Sequence, residues 1–208
     1  MSAPLPGSLP GPLPAAVLTT ERLALPLWSS DVVADLRAGR RRPEWHRDFP
    51  RTDDVDAATL WADGDPWGPR SIVRGTTVLG SIGCFGPPTP ADDGVPETEV
   101  GYGLVPEARG WGFATEALSA VLAAADAAGV RLRASVQPDN ATSLRVLAKS
   151  GFTVLRGADE EGRLVMARPL PPAVAGSAGR GADQPAGGRG GSAASHETLP
   201  DQTPRGDA

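Results

Sequence analysis

The sequence is poor in the residues that most metal and redox sites use. Its 208 residues include one cysteine, Cys84, and two histidines, His46 and His196. A single cysteine excludes an internal disulfide and a cysteine zinc site. Two histidines so far apart offer no histidine cluster, so no metal is expected. Lysine is nearly absent: of 20 basic residues only Lys149 is lysine, and the rest are arginine. Against 25 acidic residues they leave a net charge of −5, which gives no general case for nucleic-acid binding. Tyrosine occurs once, as Tyr102. No stretch is apolar for long enough to span a membrane. Residues 1–16 are rich in Pro, Leu and Ala but hold no Lys or Arg, and Pro4, Pro6, Pro10, Pro12 and Pro14 break any apolar helix. They read as a disordered arm rather than a secretory signal, and the protein as cytoplasmic.

The richest stretch is 105–128, VPEARGWGFATEALSAVLAAADAA. Residues 97–105 before it alternate like a strand. After it, Ala114, Ala117, Leu118, Val121, Leu122 and Ala125 recur at the spacing of one helix face. The order is therefore strand, glycine loop, helix. The first N–H groups of a helix have no intrahelical partner, and the helix dipole adds partial positive charge there. Glycines let backbone approach an anion, so the loop suits a diphosphate. It is neither a P-loop, lacking the Lys-Ser/Thr, nor the dinucleotide fingerprint. Taken alone, it also fits a tight strand-to-helix turn.

Downstream, residues 137–152 read QPDNATSLRVLAKSGF, with Asn140 at a helix start, Ser143 in its first turn and Gly151-Phe152 after the helix. With these residues the chain resembles the GNAT superfamily of acetyl-CoA-dependent N-acetyltransferases. The family loop Q/R-x-x-G-x-G/A is matched by Arg109, Gly112 and Ala114, with Gly110 extra. The N-x-x-S…G-F pattern and Glu99-Val100-Gly101-Tyr102 resemble the branch with the ribosomal-protein N-terminal acetyltransferases. The resemblance covers about residues 17–170.

Taken in order, 17–27 contains a strand with Leu23, Leu25 and Leu27 on one face, and Ser29, Ser30 or Asp31 can cap a helix through Leu36. Residues 43–69 are irregular, with Asp53 or Asp54 as a further helix cap. A hairpin follows over 71–85, then a loop to Pro96, the strand 97–105, the glycine loop and its helix, a strand over 130–136, a helix over 140–150 and two last strands over 152–156 and 163–168. The expected class is α/β (α+β): one GNAT-like domain over 17–170, with a mixed central sheet flanked by helices. Residues 171–208 hold only Val174 and Leu199 as large aliphatics, too little apolar surface to offset ordering entropy, so a disordered tail is expected.

For the cofactor, the resemblance implies acetyl-CoA, with its diphosphate on Arg109, Gly110, Trp111, Gly112, Phe113 and Ala114. Its pantetheine arm would run beside Leu104-Val105, with further contacts from Asn140. Asn140 is also a natural helix N-cap. Amine acetylation needs a neutral amine and a proton for the leaving thiolate. The family comparison favours Glu99 as base, although a solvated strand face explains it equally well. Many members carry a tyrosine as the thiolate's acid four residues before the Gly of the G-F pair; here that position is Leu147. Either water protonates the thiolate, or Ser143 assists, or the chemistry is weak. The resemblance implies that residues 43–69 wall the acceptor pocket: the segment gathers Trp45, His46, Phe49, Trp61 and Trp67, and of these Trp45, His46 and Phe49 are the expected acceptor contacts. Cys84 reads as core, so direct transfer is expected rather than an acetyl-enzyme. The expected partner is an amine, on a protein N-terminus or a small molecule, with no nucleic acid or membrane. The resemblance also allows a homodimer. A non-catalytic acyl-CoA-binding module is the alternative, and a tail-recruiting interaction protein a third reading.

Overall fold

The computed structural model describes residue 11 and residues 13–171. The described residues form one α/β domain around a nine-stranded sheet. The elements are β1 Val17–Thr19, β2 Ala24–Pro26, α1 Ser30–Arg37, α2 Thr52–Thr59, β3 Arg70–Arg74, β4 Thr77–Cys84, β5 Thr89–Pro90, β6 Pro96–Leu104, α3 Phe113–Ala128, β7 Arg131–Val136, α4 Ala141–Lys149, β8 Val154–Ala158 and β9 Leu164–Ala167, with a 3-10 turn at Pro106–Ala108. The strand order is β1-β2-β3-β4-β6-β7-β9-β8, with β5 paired to β6.

Every pairing of these strands is antiparallel except β6 with β7. That parallel pair is short: it joins Glu97, Thr98 and Glu99 to Arg131, Leu132 and Arg133 and then ends. On its other side β6 stays paired with β4 as far as Leu104. From Val100 onward the β7 side of β6 is therefore open, and this opening places the site.

Helix α3 covers the sheet beside the opening. Its buried face is Phe113, Ala117, Leu118, Val121, Leu122, Ala125 and Ala128, and it packs on β4, β6 and β7. Each fully buried Leu or Val contributes roughly 1.5–3 kcal/mol, so packing rather than propensity holds the helix. Gly129 ends it as expected, donating its N–H to Ala125 and Asp126. Helices α1 and α2 pack on each other, and the Arg37 guanidinium donates to the Ala58 carbonyl at 2.7 and 3.0 Å.

Local chemistry explains most boundaries, and two features differ from expectation. The first strand is two strands, because the chain turns at 20–23 and β1 folds back on β2. The second helix is capped by Arg51, not by an aspartate; Asp54 sits in its first turn and accepts from the Arg51 backbone N–H. Just before the expected start at 17, the Ala16 carbonyl accepts from the Leu27 N–H at 2.9 Å and from Arg70 Nη1 at 3.2 Å. The rest of the expected arm and tail, residues 1–10, 12 and 172–208, lies outside the described residues.

Candidate active site

The glycine loop is built as the sequence implies. Arg109 follows the 3-10 turn, and Gly112 is the N-cap of α3 with φ 82°. That left-handed backbone is strained for any residue with a Cβ. No side chain caps the helix, so the N–H groups of its first turn face the loop. The turn between β1 and β2 clamps this helix start. Glu116 accepts from Thr20 Oγ1, the Arg22 N–H and Arg22 Nε at 2.5, 2.9 and 2.7 Å.

Two cavities meet at β6. One, of about 450 Å³, is lined by the loop residues Arg109, Gly110, Gly112, Phe113 and Ala114, by Leu104, and by Asn140, Ser143, Arg145 and Lys149 of the α4 segment. Its charge is positive: Arg51, Arg109, Arg145 and Lys149 stand against Asp53 alone. The other, of about 350 Å³, is lined by Asp53, Asp56, Leu60, Trp61, Asp65, Phe85, Gly101 and Arg163, among others. Its guanidiniums are already held: Arg51 by Asp54 at 2.6 Å, and Arg163 by Asp159 at 2.7 Å and Glu161 at 3.1 Å. Arg51, Asp53 and Tyr102 line both cavities and mark their junction.

The single tyrosine thus stands where the cavities join. Its phenol donates to the Ser143 carbonyl at 3.3 Å, and burial pushes its pKa up to about 12. Leu147, the position at which many relatives carry tyrosine, is buried in the core. Asn140 caps α4, accepting from the Ser143 N–H at 3.0 Å. Cys84 is also buried, and burial, followed by the charge of Asp65, raises its thiol to about 12. It stays a protonated thiol at neutral pH, so no activated nucleophile lies there.

Other expected site residues lie elsewhere. Trp45 and Phe49 are buried, 6% and 0% exposed, and pack edge to face. Backbone bonds from the Trp45 neighbours to Val78 tie this segment to the start of β4. The His46 ring bonds to Glu107 at 2.9 Å. None of the three lines either cavity, but Trp61 of the same expected segment does, and α2, the residues after it and Phe85 line the acidic cavity. Trp111 is 66% exposed on the loop. Val105 is fully buried, and its N–H donates to Leu79. Glu99 faces Arg133 at 3.2 Å and lines neither cavity, but Gly101, one alternation further along the same face of β6, does. Glu97 is engaged by Arg131 and Arg156 at 2.5 and 2.8 Å, which is a structural use.

Sequence reasoning missed Arg51, Asp53, Asp56, Asp65, Phe85, Arg145 and Lys149. Arg145 and Lys149, four apart on a helix that starts at Asn140, offered a legible signal. The others are joined only by folding.

The family described as "Acetyltransferase (GNAT) domain" matches residues 22–153. The chain belongs to this family. With membership come acetyl transfer and acetyl-CoA as the donor. A protein of Bordetella pertussis assigned to the GnaT acetyltransferases is similar at 25% identity and TM-score 0.52, over 74% of this chain and 99% of that one. RimJ of Mycobacterium smegmatis, in a structure complexed with CoA-disulfide, is similar at 21% identity and TM-score 0.53, over 73% and 86%. A ribosomal-protein-S5-alanine acetyltransferase from Vibrio fischeri shares the fold at 16% identity and TM-score 0.53, over 76% and 98%. No curated protein matches the sequence. Among the described residues, no helix is long and apolar enough to cross a membrane.

Proposed function

We propose that this acetyltransferase moves an acetyl group directly from acetyl-CoA to the primary amine of a protein N-terminus or a small molecule, in a ternary complex. The observation that carries the reading is the pair of cavities of opposite charge meeting at Tyr102, Arg51 and Asp53. The positive cavity fits acetyl-CoA: the uncapped start of α3 suits the diphosphate, and Arg109, Arg145 and Lys149 supply cations for phosphate. Gly110, Trp111, Gly112, Phe113 and Ala114 present backbone to it. The open edge of β6 at Leu104-Val105 and the Asn140 cap flank the pantetheine arm. The bound donor supplies an acetyl thioester activated for attack. The acidic, aromatic-walled cavity takes the amine, and Asp53, Asp56 and Asp65 favour an acceptor that is cationic overall.

Glu99 is the proposed proton acceptor, through water, because it shares a face of β6 with Gly101. Asp53, exposed at the junction, is its rival. Tyr102 is the proposed donor to the leaving thiolate, with Ser143 beside it.

Calorimetric titration with acetyl-CoA, followed by CoA-thiol release across an amine panel, tests the reading. The parent binds and releases CoA in an amine-dependent way. Gly112→Val, checked for folding by circular dichroism, is expected to lose binding, because a β-branched residue strains the φ 82° backbone and displaces the loop N–H groups. Binding with no amine-dependent release would instead support the acyl-CoA-binding module. Glu99→Gln with full turnover, and Asp53→Asn without it, would move the base to Asp53.

A further inference from the structure

Resting on that reading, we infer that Arg51 is a catalytic residue, the donor that stabilises charge on the acetyl carbonyl oxygen during transfer. Of the three residues that line both cavities it alone is cationic. Its side chain is 17% exposed, so its field is screened less than that of a surface arginine.

The guanidinium is held in a fixed pose. Nε and Nη2 form a fork on Asp54, at 3.0 and 2.6 Å, and the Arg51 backbone N–H adds a third bond to the same carboxylate at 2.8 Å. Asp54 is fully buried and also accepts from Ser81 Oγ at 2.5 Å, which ties the fork to β4. The fork uses Nε and Nη2 and leaves Nη1 facing away from Asp54. Asp53, 83% exposed, forms an ion pair with Nη1 at 3.6 Å, longer than a hydrogen bond and open to solvent screening.

Nη1 lies against β6 where the strand is bare. A Cβ on Gly103 would come 1.7 Å from it. Glycine at 103 is therefore what admits the guanidinium to the strand surface, between the loop cavity and the acidic cavity. A capping arginine needs only its backbone and one edge of its fork. The second edge, laid on a glycine at the meeting of two cavities, makes no hydrogen bond among the described residues and has only the long ion pair to the exposed Asp53.

The chemistry calls for such a donor. The amine nitrogen attacks the thioester carbon, and the C=O electron pair moves onto oxygen. When it returns, the C–S bond breaks and the C–N bond remains. The amine proton leaves to the base, and the thiolate takes a proton from the donor beside it. Between these events the oxygen carries negative charge, and a preorganised N–H there acts in the transition state rather than in binding.

The test is steady-state kinetics at saturating acetyl-CoA and amine on the parent, Arg51→Gln, Arg51→Lys and Gly103→Ala, with acetyl-CoA affinity from calorimetry and folding from circular dichroism. Arg51→Gln is expected to lower kcat about 10²–10³-fold, the range for losing one such donor, with acetyl-CoA affinity changed less than about 3-fold. Arg51→Lys recovers part of kcat. Gly103→Ala, which keeps the arginine but displaces Nη1, lowers kcat in the same direction and guards against a glutamine variant that fails to fold. Millimolar guanidinium restores part of the Arg51→Gln rate, which a purely structural arginine would not show. A kcat within about 3-fold of the parent in folded Gly103→Ala overturns the inference. So does a loss confined to acetyl-CoA affinity, which would make Arg51 a phosphate-binding cation. A parent that transfers to no amine fails the functional reading itself and takes the inference with it.

Discussion

Arg22 grips Glu116 at 2.6 Å, and this tie connects the β1–β2 turn to the first turn of the helix that carries the glycine loop. The Thr20-Glu21-Arg22-Leu23 segment thus anchors the helix start, since Thr20 and Arg22 hold Glu116 while Leu23 is buried in the core. The Arg22 guanidinium also covers the Phe113 ring at 4.7 Å, so it fixes the residue that follows Gly112 as well.

The tie makes stability depend on acid. Burial alone would raise the Glu116 pKa, but the bonds from Thr20 and Arg22 outweigh it and lower the value below 4.5. A carboxylate depressed in the folded state contributes stability that is complete above its unfolded pKa and is lost as pH falls through the folded one. Glu116→Gln is therefore expected to lower the melting temperature at pH 7 and to flatten its decline below pH 4.5. An unchanged acid limb in the variant would show that Glu116 carries no such linkage.

Tyr102 gives the opposite limb. Its pKa stands at about 12, against about 10 for a free phenol. A raised folded pKa means that the folded state keeps the proton longer. The contribution is complete below about pH 10 and is lost as pH rises through 12. Tyr102→Phe should lose part of the alkaline decline in stability. As the proposed thiolate donor, its removal should also lower kcat about 10²-fold or more, with acetyl-CoA affinity little changed. Turnover equal to the parent's would leave water or Ser143 as the proton source.

Arg145 and Lys149 face the positive cavity. Replacing either with alanine should weaken acetyl-CoA about 3–10-fold at low salt, with the deficit shrinking as ionic strength rises. Isothermal titration at two salt concentrations reads this directly. Equal affinity at low salt would remove both residues from the phosphate site.

The acidic cavity predicts an order among acceptors. At equal length, an amine with a second cationic group should outrun a neutral one, and one with a terminal carboxylate should be slowest. Asp56→Asn with Asp65→Asn should narrow the gap by about 5-fold, roughly 1 kcal/mol. The comparison is of kcat/KM for a diamine, an alkylamine and an amino acid of matched chain length. A preference for the carboxylate would assign the cavity's arginines, rather than its aspartates, to acceptor recognition.

The strand, glycine loop and helix of 97–128, the Asn140 cap and the Gly129 stop were legible in the sequence because each rests on neighbours in the chain: alternation, helical spacing, an unpaired N–H, a residue that tolerates a left-handed backbone. The segment 43–69 that lines the acidic cavity was legible as a candidate wall, but which of its aromatics face the cavity was not, since aromatic residues read the same whether they line a cavity or fill a core. Trp45 and Phe49 went to the core, while Trp61 and Phe85 stand at the cavity. Nor did the sequence join Arg51 to Gly103. That contact exists because the start of α2 is drawn onto β4 by Ser81 and Asp54, and because Ser81 pairs with Gly103 on β6. Local patterning determined which segment presents backbone to an anion. Only the packing of distant segments decided which charges meet there, since a charge acts through its distance in space and not its position along the chain.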